Sequence, residues 1–301
     1  MVERLTFQDQ IARNKLKSFV LIGLIFIFFL ILGTIISLAI DPSYFFIIMI
    51  FSIIFSIGYI LFSYYNSAKI AIASVGAKPA SLSSHKNFFR AAENMSLASG
   101  LPMPKLYVMD SNQINAFASG RDPKNAVICA STGCLEKLNK EELEGVIAHE
   151  MSHIANYDIR FMTLVAVIIG LISILGEMFL RSLWFSHSDN REGKGGAILL
   201  VLAVLASILA PLLANLVSLA ISRKREFTAD ATAVKFTRYP PGLKNALIKI
   251  KHEHSIPEKK KHETPKAMAP LFISDPFKKK ITGLFATHPD INERIRILER
   301  M

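Results

Sequence analysis

Cysteine is almost missing from this chain: Cys129 and Cys134 are the only two in 301 residues. Their spacing fits neither a redox pair nor a zinc framework, which excludes a disulfide scaffold and cysteine-ligated metal and leaves two reduced, structural thiols. Charge is absent from residues 19–40 and 44–63, each longer than the roughly 18 residues that mark a bilayer-spanning helix. Proline is absent between Pro123 and Pro211, and glycine between Gly145 and Gly170, so nothing in that stretch interrupts a helix. Acidic residues number 24 against 35 basic ones, for a net charge of +11. Such a balance can signal nucleic acid, but here the basic residues cluster beside the hydrophobic runs, which suits a membrane protein and no nucleic-acid partner.

Hydrophobic residues make up 51% of the chain and the mean hydropathy is positive. Besides 19–40 and 44–63, residues 161–180 and 197–221 are long and apolar, the third run carrying only Glu177. The first run is too long for the hydrophobic core of a signal peptide, and Asp41-Pro42-Ser43 leads directly into the second, so the pair reads as a retained transmembrane hairpin. Arg4, Arg13, Lys15 and Lys17 precede the first run, Lys69 and Lys78 follow the second, and Arg223, Lys224 and Arg225 follow the fourth. The positive-inside rule puts these groups, and with them both termini, in the cytoplasm. Whether 161–180 and 197–221 cross fully or form a shallow hairpin is left open by the pattern.

The stretch from Gly145 to Asp158 contains His149, Glu150 and His153 as H-E-x-x-H on a predicted helix. Side chains four apart on a helix lie about 40° apart around its axis, so both imidazoles can grip one metal from the same face. Glu150, about 100° from His149 and about 60° from His153, can reach a water on that metal. This is the geometry of a zinc hydrolase. If the helix continues toward residue 161, the metal lies roughly 12 Å along it from the third hydrophobic run.

A catalytic zinc takes a third protein ligand. After the fourth hydrophobic run comes R-E-F-T-A-D, which offers Glu226 as that ligand, with Asp230 one turn later to hydrogen-bond the far nitrogen of a zinc histidine. Two runs separate His153 from Glu226, and an even number of crossings returns the chain to the same side. Asn156 and Asp158 are further candidates for supporting the ligands.

Elsewhere, residues 64–84 read as a connector and 85–99 as a helix capped by Gly100. Strands are expected at 105–109, 114–118 and 126–130, the last two joined by a turn at Gly120-Arg121-Asp122-Pro123. Asn115, Ala116, Phe117 and Ala118 form either an edge strand open to an extended peptide or one covered by a neighbour; the pattern allows both. Residues 255–280 are rich in Pro, Lys and His, and His252, His254 and His262 there lack a ligand framework. The block reads as an insertion lying over anionic lipid.

H-E-M-S-H, then S-R-K-R-E-F-T-A-D, then T-H-P-D-I-N-E-R-I, with two hydrophobic runs between the first pair, resembles the HtpX-type membrane metalloproteases, gluzincins related to the CAAX prenyl proteases. The resemblance runs from about Phe19 to Met301. It implies one zinc ion per chain held by His149, His153 and Glu226, Glu150 as general base and Asp230 as support. It further implies His288 as donor to the oxyanion and Asn115, with Ala116 and Phe117, on a substrate-binding edge strand. The expected architecture is α+β: about four transmembrane helices and a cytoplasmic gluzincin domain with a small β-sheet. The segments are a cytoplasmic 1–18, a hairpin 19–63, catalytic parts 64–160 and 222–301, and a second hairpin 161–221. The implied activity is a zinc endopeptidase of the cell membrane that cuts misfolded or damaged membrane proteins at the cytoplasmic face in protein quality control and stress response. Arg294 is expected to form a supporting ion pair. A prenyl-peptide protease and a zinc transporter are the competing readings; a transporter would place its ligands at mid-bilayer.

Overall fold

A computed structural model describes residues 7–169, 223–254, 271–273 and 290–301 of the chain. His288, Glu177, the run 197–221 and all of the basic insertion except 271–273 lie outside the described residues.

Uninterrupted apolar sequence builds two long helices, α1 (Phe7–Ile40) and α2 (Phe45–Ser74). Between them Asp41 caps a single 3-10 turn by accepting from the Ser43 N–H at 2.8 Å, with Pro42 at its first position. The helices fold back on each other: Phe29 stacks edge-on against Phe55 and Tyr59, and a Cβ on Gly33 would meet Ser52 Oγ at 2.1 Å. Within them Ile11–Leu38 and Pro42–Ser74 are long and apolar enough to cross a membrane. Only 22% and 6% of those windows are buried inside the protein, so their apolar surface faces outward, as in lipid and not as in a soluble core. The connector expected from residue 64 is helical as far as Ser74.

The remaining elements form a helical domain with one small sheet. β1 (Lys78–Pro79) precedes α3 (Lys86–Ser99), which ends at Gly100 in the left-handed conformation, φ 70°. β2 (Lys105–Met109), β3 (Ala116–Ser119) and β4 (Val127–Ser131) follow. The sheet order is β1-β2-β4-β3, with β2 parallel to β4 and the other pairs antiparallel. The turn expected at Gly120–Pro123 joins β3 to β4, with each strand shifted one or two residues from its predicted limits.

Next come α4 (Thr132–Lys137) and α5 (Lys140–Ala155). Asn139 and Glu142 form a reciprocal capping box at the start of α5. The condition that the helix continue toward residue 161 is not met. Asn156 closes α5, Tyr157 adopts φ 58°, and a new helix, α6, begins at 158 and runs through 169. A tyrosine in the left-handed region is uncommon and needs support from its surroundings. α7 (Arg223–Thr237), α8 (Pro240–His254) and α9 (Ile291–Leu298) complete the described elements.

The core lies between α3, the sheet, α5, α8 and α9, around Phe88, Ile128, Ile147, Met151 and Leu247. α5 and α8 cross closely because Gly145 has no side chain: a Cβ there would lie 2.5 Å from the Leu243 nitrogen. Two further clusters join this domain to the long helices. Leu21, Ile25 and Phe29 of α1 pack on Phe161, Leu164, Val165 and Ile168 of α6. Ala71 and Ile72 of α2 pack with Met109, Phe117, Met162 and Phe272.

Candidate metal centre

The single-face geometry implied by a spacing of four on α5 is realised, and α7 closes it. His149 Nε2 and His153 Nε2 are 3.2 Å apart. Glu226 turns Oε2 to His149 Nε2 at 3.6 Å and Oε1 to His153 Nε2 at 3.7 Å. The three residues are buried, and one donor atom from each lies within 4.8 Å of the others.

The far side of each imidazole is equally specific. His149 Nδ1 is 2.9 Å from Asp230 Oδ1, and His153 Nδ1 is 3.1 Å from Asp158 Oδ2. A carboxylate accepts the Nδ1–H, which leaves the lone pair on Nε2, facing inward, in both rings. Two inward lone pairs at 3.2 Å repel unless a cation lies between them. Nitrogens about 2.0–2.1 Å from a shared tetrahedral centre are separated by roughly 3.3 Å, so the donor set fits a metal of zinc's size. The chemistry agrees with the spacing: two neutral imidazoles and a carboxylate are the donor set of a hydrolytic metal site.

Arg294, on α9 and 1% exposed, ties the support together. Its Nε donates to Asp230 Oδ2 at 2.8 Å and its Nη2 to Asp230 Oδ1 at 2.7 Å. Nη1 donates to the Ile273 carbonyl at 3.3 Å and lies 3.5 Å from Glu226 Oε2. Nη2 also approaches His149 Nδ1 at 3.4 Å; a guanidinium has no acceptor, so the Nδ1–H bond to Asp230 is the one that orients the ring. Burial alone would push the His149 imidazolium down, but the hydrogen bonds to Asp230 and Glu226 prevail over it and over Arg294 and hold it up at about 9, so a proton competes with a metal for the inward Nε2 and the neutral tautomer belongs to the metal-bound site. For Asp230, burial is outweighed by the charge of Arg294 and the bonds from His149 and Arg294, which keep its carboxyl below the usual range. Glu150, Asp158, Glu226 and Asp230 are all buried with Arg294 as the one fully buried cation among the described residues. Arg225, half-buried on the Asp158 side, adds further positive charge.

Glu150 is 1% exposed, and its Oε1 accepts no hydrogen bond among the described residues. Burial raises its carboxyl above the ordinary range; His149 and His153 pull it down, Glu226 pushes it up, and the Ala118 backbone N–H stabilises the anion. β3 packs against α5, the helix that carries Glu150. Asn115, 3% exposed, accepts from the Ala116 N–H with its own Oδ1 at 3.0 Å and donates its N–H to Ser131 Oγ at 3.0 Å.

Of the two possibilities for this strand, edge or covered, the structure shows some of each. β3 is the last strand of the sheet, yet Phe117 bridges antiparallel to Phe272, and the Ile273 N–H donates to the Ala116 carbonyl at 2.9 Å. The two phenyl rings meet edge-on at 5.2 Å. The chain's own 271–273 therefore pairs with the outer side of β3. The Ile273 carbonyl, through Arg294, lies one residue from the metal-ligand set.

The sequence therefore brought together His149, Glu150, His153, Glu226 and Asp230, and Ala116 and Phe117 lie on the adjacent strand. Asp158, offered only as a further candidate, holds the second histidine. Missed altogether was Asn14 on α1. Its amide donates to Asp158 Oδ1 at 2.7 Å and to the Asn156 carbonyl at 3.0 Å. No local signal marks an asparagine more than a hundred residues away from its partners.

Residues 84–301 match the family model described as Peptidase family M48. A Protease HtpX homolog of Dictyoglomus thermophilum is 41% identical over 297 residues, covering 98% of this chain and 95% of that relative. A Protease HtpX homolog of Streptococcus thermophilus is 40% identical over 304 residues, covering 97% and 99%. The crystal structure of S. mikatae Ste24p superposes with a TM-score of 0.47 at 19% identity, over 96% of this chain and 66% of that one. A family match over most of the chain, joined to relatives of this identity along nearly its whole length, makes this protein a member of peptidase family M48 and a metalloprotease.

Proposed function

We propose that this chain is a zinc endopeptidase embedded in the cell membrane, holding one zinc ion per chain on His149, His153 and Glu226 and cutting polypeptides at the cytoplasmic face. The observation that carries the reading is the joint placement of three inward-facing donors, a buried carboxylate with an unbonded oxygen, and a strand packed against the helix that carries it. When bound, zinc supplies Lewis acidity, polarising a peptide carbonyl and making water acidic enough to attack near neutral pH.

The protein's own groups do the rest. Glu150, whose burial makes it a stronger base than an exposed carboxylate, takes the proton from the attacking water and returns it to the leaving amine. Asp230 and Asp158 hold the two imidazoles in the tautomer that points Nε2 inward, and Arg294 fixes Asp230. β3 aligns an extended peptide through its outward backbone groups, with Asn115, Ala116 and Phe117 as the contact strand. His288 donates to the developing oxyanion. Four membrane segments, 19–40, 44–63, 161–180 and 197–221, carry the two catalytic parts, 64–160 and 222–301, with both termini in the cytoplasm. Misfolded or damaged membrane proteins are the substrate class that such a site beside the bilayer would meet first, in keeping with a role in quality control and stress response.

Glu150→Gln is the discriminating variant. It should bind zinc as the wild type does while cleavage of an unfolded test protein falls by at least a hundredfold. Unchanged cleavage would remove Glu150 from the chemistry. Zinc flux into liposomes without any cleavage by the wild type would favour a transporter instead.

A further inference from the structure

His153 is oriented by a chain of contacts that ends in the first long helix. Asp158 Oδ2 holds the His153 Nδ1–H at 3.1 Å. Its other oxygen, Oδ1, accepts from Asn14 Nδ2 at 2.7 Å. Asn14 is 6% exposed, and the same amide group also donates to the Asn156 carbonyl at 3.0 Å. Both partners are acceptors, so the orientation of the amide is fixed by its neighbours and the side chain cannot flip without setting its carbonyl against two oxygens. Asn156 and Asp158 flank Tyr157, the residue forced to φ 58°. The next residue of α1, Lys15, lays its ammonium 4.5 Å from the centre of the Tyr157 ring. Two consecutive residues of α1 therefore clamp the left-handed turn that carries Asp158 back under His153.

The physical need is clear. A left-handed tyrosine is costly by itself, and Asp158, the first residue of α6, directly follows it. Without a donor on Oδ1, Asp158 could rotate away from the imidazole, and His153 would lose both its tautomer and its ring orientation. Metal affinity is sensitive to this kind of outer contact, by about 10–100-fold for a direct partner of a ligand.

We propose that Asn14, at the start of the first membrane helix and outside the stretch that matches the family model, is a positioning residue for the metal centre, acting on His153 through Asp158. The packing of α1 on α6 is then a structural condition for a competent site, and the membrane hairpin does more than anchor the enzyme. This inference rests on the reading of His153 as a metal ligand.

The test is a double-mutant cycle on the full chain in detergent or nanodiscs, with zinc affinity measured by competition against a chromogenic chelator. Asp158→Asn should weaken zinc binding by about 10–100-fold and Asn14→Ala by about 3–10-fold. The double variant should bind no more weakly than Asp158→Asn alone, since the Asn14 contact acts only through Asp158. A merely structural role for Asn14 would make the two losses multiply. Asn14→Asp, which sets a second carboxylate against Asp158, should weaken binding more than Asn14→Ala and serves as the replacement variant if the alanine protein does not fold. Wild-type zinc affinity in both Asn14 variants, or fully multiplicative losses, would overturn the proposal. Failure of the underlying reading is separate: it would show as equal zinc binding by wild-type and Glu226→Ala proteins.

Discussion

Arg294 shows how much a single buried charge can organise. It grips both oxygens of Asp230, faces Glu226 and binds the Ile273 carbonyl, so removing it leaves Asp230 buried with its strongest partner gone. Arg294→Ala should destabilise the protein by about 3–5 kcal/mol, read by denaturant unfolding in mild detergent. Arg294→Lys should recover little of it, because an ammonium cannot reproduce the planar fork. A loss below about 1 kcal/mol would mean that Asp230 is satisfied without it. At this scale the sequence was informative wherever chemistry is local. The i, i+4 spacing of His149 and His153, with Glu150 between them, made the shared face legible. Glu226 and Asp230 became legible only when an even number of hydrophobic runs was counted between the two segments. Arg294 was expected only as an ion pair, and Asn14 was invisible, because each is defined by partners supplied by the tertiary fold.

Among the elements, the continuation of α5 toward residue 161, left open by the sequence, is interrupted by the break between α5 and α6. Neither glycine nor proline marks it; Asn156 caps the end of α5, and contacts from α1 hold the turn that follows. The shift places Asp158 beneath His153 instead of further along one rod. The outer side of β3 was the other uncertain feature. Pairing by 271–273 was not legible because those residues sit in a Pro- and Lys-rich block that reads as an insertion. If an extended peptide uses β3, it competes with Phe272. Phe272→Ala should lower KM for an unfolded substrate by roughly twofold to tenfold at unchanged kcat, the factor corresponding to an aromatic pair worth about 0.5–1.5 kcal/mol. A raised KM would instead make 271–273 part of the surface that meets the substrate.

Across the whole molecule, the proposed orientation puts the catalytic domain on the cytoplasmic side. The two cysteines give a clean background for testing it. Both are fully buried, and burial drives the thiols up, Cys134 to about 12, so neither should react with maleimide in the folded protein. Leu97 on α3 is 79% exposed. Leu97→Cys should therefore label with an impermeant maleimide in inside-out vesicles and not in intact cells. Labelling in intact cells would reverse the topology. The first two membrane-capable segments were legible from composition and run length alone, whereas the mixed α+β class needed the strand patterns and the family resemblance. The way in which α1 and α2 pack into the catalytic domain was not, since apolar faces do not announce their partners.

The central claim is that two remote parts of the chain, one on α5 and one on α7, jointly hold a metal. Metal analysis of purified full-length wild type against Glu226→Ala, after dialysis with a mild chelator, addresses it most directly. The account predicts about one zinc per wild-type chain and a large loss in the variant, with the fold retained by circular dichroism. Equal zinc in both proteins, or none in active wild type, would contradict it.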